Sequence, residues 1–467
     1  MDTTTKAKPA PKQPSRAKLT EGSVTKGLLS LVIPMVIGIV AVISQPVVDT
    51  YFVGLLGTRE LAAMAYIFPV SFILSSVLIG IGVGATAVIA RQIGSGDWAV
   101  VQVATLHTLL LAVAMSLVIA ALLWPLQSII FQVLGADASL IPVILDYMYV
   151  YLIGMIGMVP AMISSSALRS KGDVTLSSGI MILSAATNAA LDPLLIFGWG
   201  PIPALGFQGA ALASIAANLL AGALGIALLL RGDRMLGLLV GPLDGLIDNW
   251  KRILHVGLPS AVTNSISPIS AAFLVSIVSQ FGEAAVAAWG VSIRVEMLAL
   301  VLALALSACI GPFVAQNMGA GRIDRMRAAM RLAFTLGTAY SILVWAVLSL
   351  FAEPIASAFD DNPDTILYAV RYLETAPAAY AFYTFIMITA GAFNALSIPR
   401  PNMVLYSLKL IGIYLPLAWY AAPRYGFDGV IVASIVSNVI PGIGAIIWYK
   451  ARFPKIREAL QPELSAA

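Results

Sequence analysis

Twelve long apolar segments follow one another along this chain, each bounded by charges, Gly or Pro. They run near 27–54, 61–91, 101–124, 141–168, 176–197 and 207–230, then near 253–279, 284–315, 327–350, 366–395, 403–421 and 428–449. A helix crosses the hydrocarbon layer with about 20 apolar residues, so each segment can span it. Several are longer than that and must tilt or kink. None shows period-2 alternation, which selects helices over a barrel. Only 11% of the 467 residues are charged and 60% are apolar, against roughly 25% charged in an average soluble domain. So few charges cannot cover a soluble globule. That excludes a soluble enzyme, a disordered chain and a nucleic-acid binder. The expected fold is an all-α integral membrane protein with twelve transmembrane helices.

The basic residues orient these spans. With the N-terminus inside, 23 of the 27 Lys and Arg fall on one side. They are Lys6, Lys8, Lys12, Arg16, Lys18 and Lys26, then Arg91, Arg169, Lys171, Arg231, Arg234, Lys251 and Arg252. Arg322, Arg325, Arg327, Arg331, Arg400, Lys409, Lys450, Arg452, Lys455 and Arg457 complete the set. The alternate loops hold only Arg59 and Arg424, and Arg294 and Arg371 fall within spans. Because Lys and Arg favour the cytoplasmic side, both termini are expected in the cytoplasm, with the spans in the inner membrane of a bacterium. The loop at 351–365, with Glu353, Asp360, Asp361 and Asp364, is expected outside. The polar N-terminal stretch lacks the apolar core and cleavage site of a signal peptide and reads as a disordered tail. The single cysteine, Cys309, lies in an apolar run, excludes an internal disulfide and reads as a core residue.

The chain repeats internally. Shifted by 225 residues, Pro34 falls on Pro259, the stretch Leu56 to Ala63 on Phe281 to Ala288, and Gly94-Ser95-Gly96 on Gly319-Ala320-Gly321. Later the shift becomes 220, with Gly206-Phe207-Gln208-Gly209 on Gly426-Phe427-Asp428-Gly429 and Asn218 on Asn438. Six helices recur in the same order and orientation, so the repeat is parallel and gives two pseudo-symmetric six-helix bundles. Parallel repeats are typical of transporters that hold substrate between two bundles. The expected organisation is a cytoplasmic tail (1–23), a first bundle (24–230), a cytoplasmic linker (231–252) carrying Gly241-Pro242, a second bundle (253–450) and a second cytoplasmic tail (451–467).

Soluble-enzyme chemistry has little to work with. The two histidines, His107 and His255, lie in different halves, and no metal-ligand spacing or phosphate-binding loop occurs. The run Gly80-Ile-Gly82-Val-Gly84 reads as close helix packing. The informative residues are acids inside spans, which are costly in lipid and persist when they face a cavity or a partner. Asp49 lies late in the first span and Asp192 late in the fifth, both in the outer half. Gln45 and Asn188 each precede an acid by four residues and share its face. Two carboxylates with amide neighbours make a site for a proton, Na⁺ or an organic ammonium, and competition for one negative charge is the minimal mechanism of antiport. Helix capping beside Pro193 is the plainer reading of Asp192. Pro34, fifteen residues before Asp49, lacks an amide hydrogen and is a hinge candidate. In the second half Leu274 replaces Asp49 under the repeat. Arg294 and Glu296 in the eighth span and Arg371 and Glu374 in the tenth read as a structural ion network, with substrate contact as the alternative.

Taken in order, several short motifs resemble the multidrug and toxic compound extrusion (MATE) family, part of the multidrug/oligosaccharidyl-lipid/polysaccharide exporter superfamily. They are Pro34 with Val48-Asp49-Thr50, Gln92 to Gly96, Leu168 to Asp173, Asn188 to Pro193, Gly206 to Ser214, and Gly311-Pro312 with Gln316 to Gly321. The pattern is similar to the DinF-like branch. The NorM-like branch carries acids in the second-half cavity, where this chain reads Ser265 to Ser270 and Tyr380 to Phe385, including Tyr383. The resemblance implies that Asp49, Asn188 and Asp192 form the cation-coupling cluster, with Ser214 where the family commonly has Thr. It implies export of organic cations or amphipathic drugs in exchange for inward H⁺ or Na⁺. Gln45, Arg294, Glu296, Tyr380 and Tyr383 are the substrate-cavity candidates. No cofactor is expected, no metal beyond Na⁺ at Asp49, Asn188 and Asp192, and no enzymatic activity. The expected partners are small cationic or amphipathic molecules and membrane lipid, with no nucleic acid, for a monomer. A lipid-linked saccharide flippase is the alternative. It needs basic residues to hold a pyrophosphate, and the first-half spans offer almost none.

Overall fold

The computed structural model describes residues 17–231, 235–237 and 243–465. Most of the expected N-terminal tail, Arg234 and Gly241-Pro242 of the linker lie outside them. Seventeen α-helices and no strand occur among the described residues. The first half contains α1 (Val24–Gly54), α2 (Thr58–Ser95), α3 (Trp98–Leu123), the short α4 (Gln127–Val133), α5 (Ile141–Lys171), α6 (Val174–Phe197) and α7 (Gly206–Leu230). The second contains α8 (Leu246–Val278), α9 (Glu283–Ala299), α10 (Val301–Gly319), α11 (Ile323–Leu350), the short α12 (Ala352–Ser357) and α13 (Pro363–Thr375). It continues through α14 (Tyr380–Ala395), α15 (Arg400–Ser407), α16 (Leu415–Tyr425) and α17 (Phe427–Ser465). Twelve spans long and apolar enough to cross a membrane result, as the sequence predicts.

Local chemistry sets the ends of these helices. Ser23 caps α1 by accepting the Lys26 amide, and Asp97 caps α3 by accepting the Val100 amide at 3.2 Å. Gly172 ends α5 at φ 92°, where a side chain would be strained, and the Asp173 amide closes back on the Leu168 carbonyl at 2.9 Å. The seventh span begins at Leu246, seven residues before the apolar run that marks it, so part of the expected linker is helical. Two polar anchors hold that extra turn against α3: Asn249 pairs with His107 Nδ1 at 2.9 Å, and Trp250 Nε1 donates to the His107 carbonyl at 2.9 Å.

Helix breaks concentrate in the second half. The eighth span breaks at Leu300, between α9 and α10. The tenth breaks at the 3₁₀ turn Ala376–Ala379, which contains Pro377. The eleventh carries a seven-residue π-helix, Leu408–Tyr414, between α15 and α16.

The bundles meet most closely at the end of the molecule that carries Lys18, Arg91, Lys171 and Arg325, here the basic end. A shared core there joins Leu28, Leu31, Val32 and Met35 of α1 to Leu306, Ile310 and Phe313 of α10. The repeat is visible in the seam itself. A Cβ on Gly94 would lie 2.1 Å from the Gln316 carbonyl oxygen, and one on Gly319 would lie 2.1 Å from the Arg91 carbonyl oxygen. Residues 94 and 319, like 91 and 316, are 225 apart, so the contact is its own image under the repeat. Along α2 and α8, Gly80 meets Gly257 and Gly84 meets Ile253 backbone to backbone. Ser76 and Ser265 pair at 2.7 Å about midway along both helices.

Candidate functional site

The two buried acids come together. Asp49 is the twenty-sixth of the 31 residues of α1, and Asp192 the nineteenth of the 24 of α6; both helices start at the basic end. The two side chains therefore reach the same level in the opposite half of the first bundle. Asp49 is 7% exposed and Asp192 is fully buried. Their carboxyl groups face each other, and Asn188 adjoins both. Asn188 Nδ2 donates to Asp192 Oδ1 at 3.3 Å and to Ser214 Oγ at 3.1 Å. Asn218, one turn beyond Ser214, donates to the Ser214 carbonyl at 2.8 Å, and Ser184 donates to Asn218 at 3.3 Å. This polar chain fixes the amide of Asn188 and hence the rotamer of Asp192.

Three oxygens of the site lack a hydrogen-bond partner among the described residues: Asp49 Oδ1, Asp192 Oδ2 and Asn188 Oδ1. All are acceptors. Two facing carboxylates cannot satisfy each other, because neither supplies a hydrogen. A buried polar atom without a partner is costly, and a buried charge more so. The arrangement is satisfied by a positive charge placed between the oxygens. A proton shared by the carboxyls does this, as does Na⁺ held by carboxylate and amide oxygens.

Of the other candidates in the first half, Gln45 is half-buried and makes no side-chain hydrogen bond among the described residues. Pro34 lies within α1, and so does Pro46, which stands three residues before Asp49 and so much closer to it. The pattern of a proline inside an apolar run signals both equally. Tyr147 of α5 is a further member, buried beside Asp49 and Asp192 and packed on Phe207 at 4.9 Å between ring centroids. Spacing along the chain offers no signal for it.

The second half holds a separate polar cluster. Glu296 Oε2 accepts the Tyr372 hydroxyl at 2.7 Å. Tyr372 stands 225 residues after Tyr147, so each bundle places a tyrosine at this repeat position beside a carboxyl group. Tyr380 and Tyr414 are buried around Glu296. Tyr383 stacks edge-to-face with Tyr406 at 6.3 Å. Arg294, two residues from Glu296, points away; it is exposed and makes no ion pair among the described residues. The ion network expected between the eighth and tenth spans is not formed. Arg371 pairs instead with Asp428 at the start of α17, at 3.1 Å, with both side chains about half exposed. The Glu374 backbone carbonyl accepts from Trp345 and Ser349, and its side chain is exposed.

Lys409 needs a correction. Counted with the basic residues of the cytoplasmic side, it lies inside the eleventh span, in the π-helix, and is 6% exposed. Its Nζ sits 3.2 Å from the centroid of the Tyr383 ring. The expected span 403–421 already contains it, nine residues past Arg400, so its depth is legible along the chain; packing adds that it is buried against Tyr383. Cys309 is fully buried in the core shared by the bundles.

Comparisons with known proteins place this geometry in context. A family model described as MatE matches residues 34–194 and 259–420, and the starts of the two matched stretches are 225 residues apart, as in the repeat. The chain is 35% identical over 432 residues to the FAD transporter of Shewanella oneidensis, covering 92% of this chain and 95% of that protein. It is 28% identical over 401 residues to the probable multidrug resistance protein NorM of Deinococcus radiodurans, covering 84% and 86%. The crystal structure of the Vibrio cholerae MATE transporter VcmN in the bent form matches with a TM-score of 0.86 and 26% identity, over 95% of this chain and 99% of that one.

Proposed function

Because this chain belongs to the MatE family of membrane transporters, we propose that it is a secondary antiporter exporting a small amphipathic molecule in exchange for an inward cation. The observation that carries this reading is the facing pair of buried carboxyl groups, Asp49 and Asp192, with three acceptor oxygens left open. A proton or Na⁺ entering from outside fills the site and lowers its negative charge by one unit. Loss of that charge changes what the first bundle can hold and how α1 packs at Pro46. The bundles 24–230 and 253–450 then rock about the seam at Gly94 and Gly319, exposing the substrate to each side in turn. The confinement of the acid pair to the first bundle supports the DinF-like branch. The excess of Lys and Arg at the basic end supports its assignment to the cytoplasm.

For the substrate, organic cations or amphipathic drugs fit an acidic first bundle and the NorM relative. A second reading, a flavin nucleotide, is supported by the more similar Shewanella relative and by the buried cation Lys409 in the second bundle. The test uses proteoliposomes with H⁺ and Na⁺ gradients imposed separately, loaded in turn with a lipophilic cationic dye and with FAD. Uphill movement of either under one gradient is the expected result, and it identifies the coupling ion. Asp49→Asn is expected to abolish that movement while leaving the gel-filtration profile and helix content unchanged. Full gradient-driven transport by Asp49→Asn overturns the assignment of the site.

A further inference from the structure

The polar clusters around Asp49 and Glu296 leave different groups without partners among the described residues. In the first, every atom of the Asp49 cluster without a partner is an acceptor. Around Glu296 the unpartnered buried atoms are hydroxyls that can donate, Tyr380 Oη and Tyr414 Oη, and Trp289, whose Nε1 is also unpartnered, packs on the Tyr372 ring; the unpartnered amide oxygens of the second bundle belong to Asn402 and Asn438. Tyr380 lies close to Glu296 and Tyr414 close to Ser434, both out of hydrogen-bonding geometry. Lys409 adds a full positive charge. Its ammonium has no hydrogen bond and no ion pair within 4 Å among the described residues, and it lies over the face of Tyr383. Glu296, the acid that acts on it most directly, is already engaged by the Tyr372 hydroxyl.

An ammonium inside a span is costly and persists where something compensates it. Lys409 follows Arg400 by nine residues, which places it about 14 Å along the helix from the basic end. A ring face offsets part of the cost of a desolvated cation but leaves its hydrogens without acceptors. The π-helix at Leu408–Tyr414 supplies a second observation, since such segments are rare and recur at functional sites. Here it contains both Lys409 and Tyr414. The half-buried rings of Tyr383 and Tyr406 offer aromatic surface next to the charge.

We propose that this cluster binds the phosphate group of an aromatic substrate, with Lys409 as its anchor, the buried hydroxyls of Tyr380 and Tyr414 as donors, and Tyr383 and Tyr406 against the ring system. The proposal rests on the reading of the chain as a small-molecule transporter and gives the substrate class for the second bundle. It is tested by binding without any ion gradient, so its failure is distinct from failure of antiport.

Full-length protein in phosphatidylcholine nanodiscs is titrated with FAD, FMN and riboflavin, following flavin fluorescence anisotropy. The phosphorylated flavins are expected to bind at least about tenfold more tightly than riboflavin. Lys409→Met is expected to erase that preference and Lys409→Arg to keep most of it. Inorganic pyrophosphate is expected to displace FMN from the unmodified protein and leave riboflavin in place, an arm that needs no variant to fold. Phosphatidate in the nanodiscs is expected to leave FAD binding unchanged. Absence of binding by either phosphorylated flavin overturns the proposal. So does equal binding of riboflavin, survival of the phosphate preference in Lys409→Met, or loss of FAD binding to phosphatidate, which assigns the site to a lipid headgroup.

Discussion

Asp49 is a carboxylate that the fold removes from water without supplying a permanent cation. Its neighbours show how such a group is held ready. Asn188 spends its amide hydrogens on Asp192 and Ser214, so its own oxygen is turned toward the open site. Hydrogen bonds to charged groups contribute about 1.5–3 kcal/mol. Asn188→Ala is therefore expected to weaken cation binding about ten- to a hundredfold, measured as the gradient needed for half-maximal export. Ser214→Thr keeps the hydroxyl and is expected to transport normally, whereas Ser214→Ala removes an acceptor for Asn188 and is expected to fall between the two. The acids themselves could be found in the sequence because a charge in an apolar run is conspicuous. Tyr147 could not, because a tyrosine in an apolar run is ordinary; Lys409 is as conspicuous in its span as the acids, and only its count with the basic residues of one side obscures it.

Where helices touch, the small residues decide. Gly94 and Gly319 let α2 and α10 cross backbone against backbone at the basic end, with no room for a methyl group on either side. Gly94→Val and Gly319→Val are each expected to force that seam apart and shift the molecule toward opening at the basic end. The measurement is labelling of a single cysteine at Gln92 by a membrane-impermeant thiol reagent added from the cytoplasmic side of inverted vesicles, in a Cys309→Ala background. Labelling is expected to rise several-fold. Unchanged labelling in both variants would show that the seam does not gate access. Pro46 makes the matching case within one element. It removes an amide hydrogen one turn before Asp49, so Pro46→Ala, which restores that backbone hydrogen bond, is expected to stiffen α1 locally and slow transport while sparing cation binding, separable as a drop in maximal rate at an unchanged half-saturating gradient.

Across the whole molecule, a short segment ties the bundles together at the basic end. The Leu19 amide donates to Gln316, and Arg325 donates to the carbonyls of Leu19, Glu21 and Gly22. Lys18 pairs with Asp173, which also meets Lys171 at 2.8 Å. Partial burial pushes the Asp173 carboxyl up, but the hydrogen bonds from Lys171 and Lys18 outweigh it and hold the group below its ordinary value. A carboxyl group depressed in the folded state contributes stability above its ordinary value and loses it as pH falls through the lower folded value. Limited proteolysis after Lys18 is therefore expected to stay slow from neutral pH down to the ordinary carboxylate range and to accelerate below it, with Asp173→Asn fast at every pH. The sequence by itself determined the solvent of this chain, the number of its spans, their repeat and the two acids, since each is a matter of composition or spacing along one dimension. It also carried the family resemblance, because motif order is a property of the chain. Which polar groups meet, which atoms are left without partners, and where the two bundles touch were decided only by tertiary structure. Those are distances between residues as far apart as 49 and 192 or 94 and 316, and they are set by how helices pack rather than by what any helix contains.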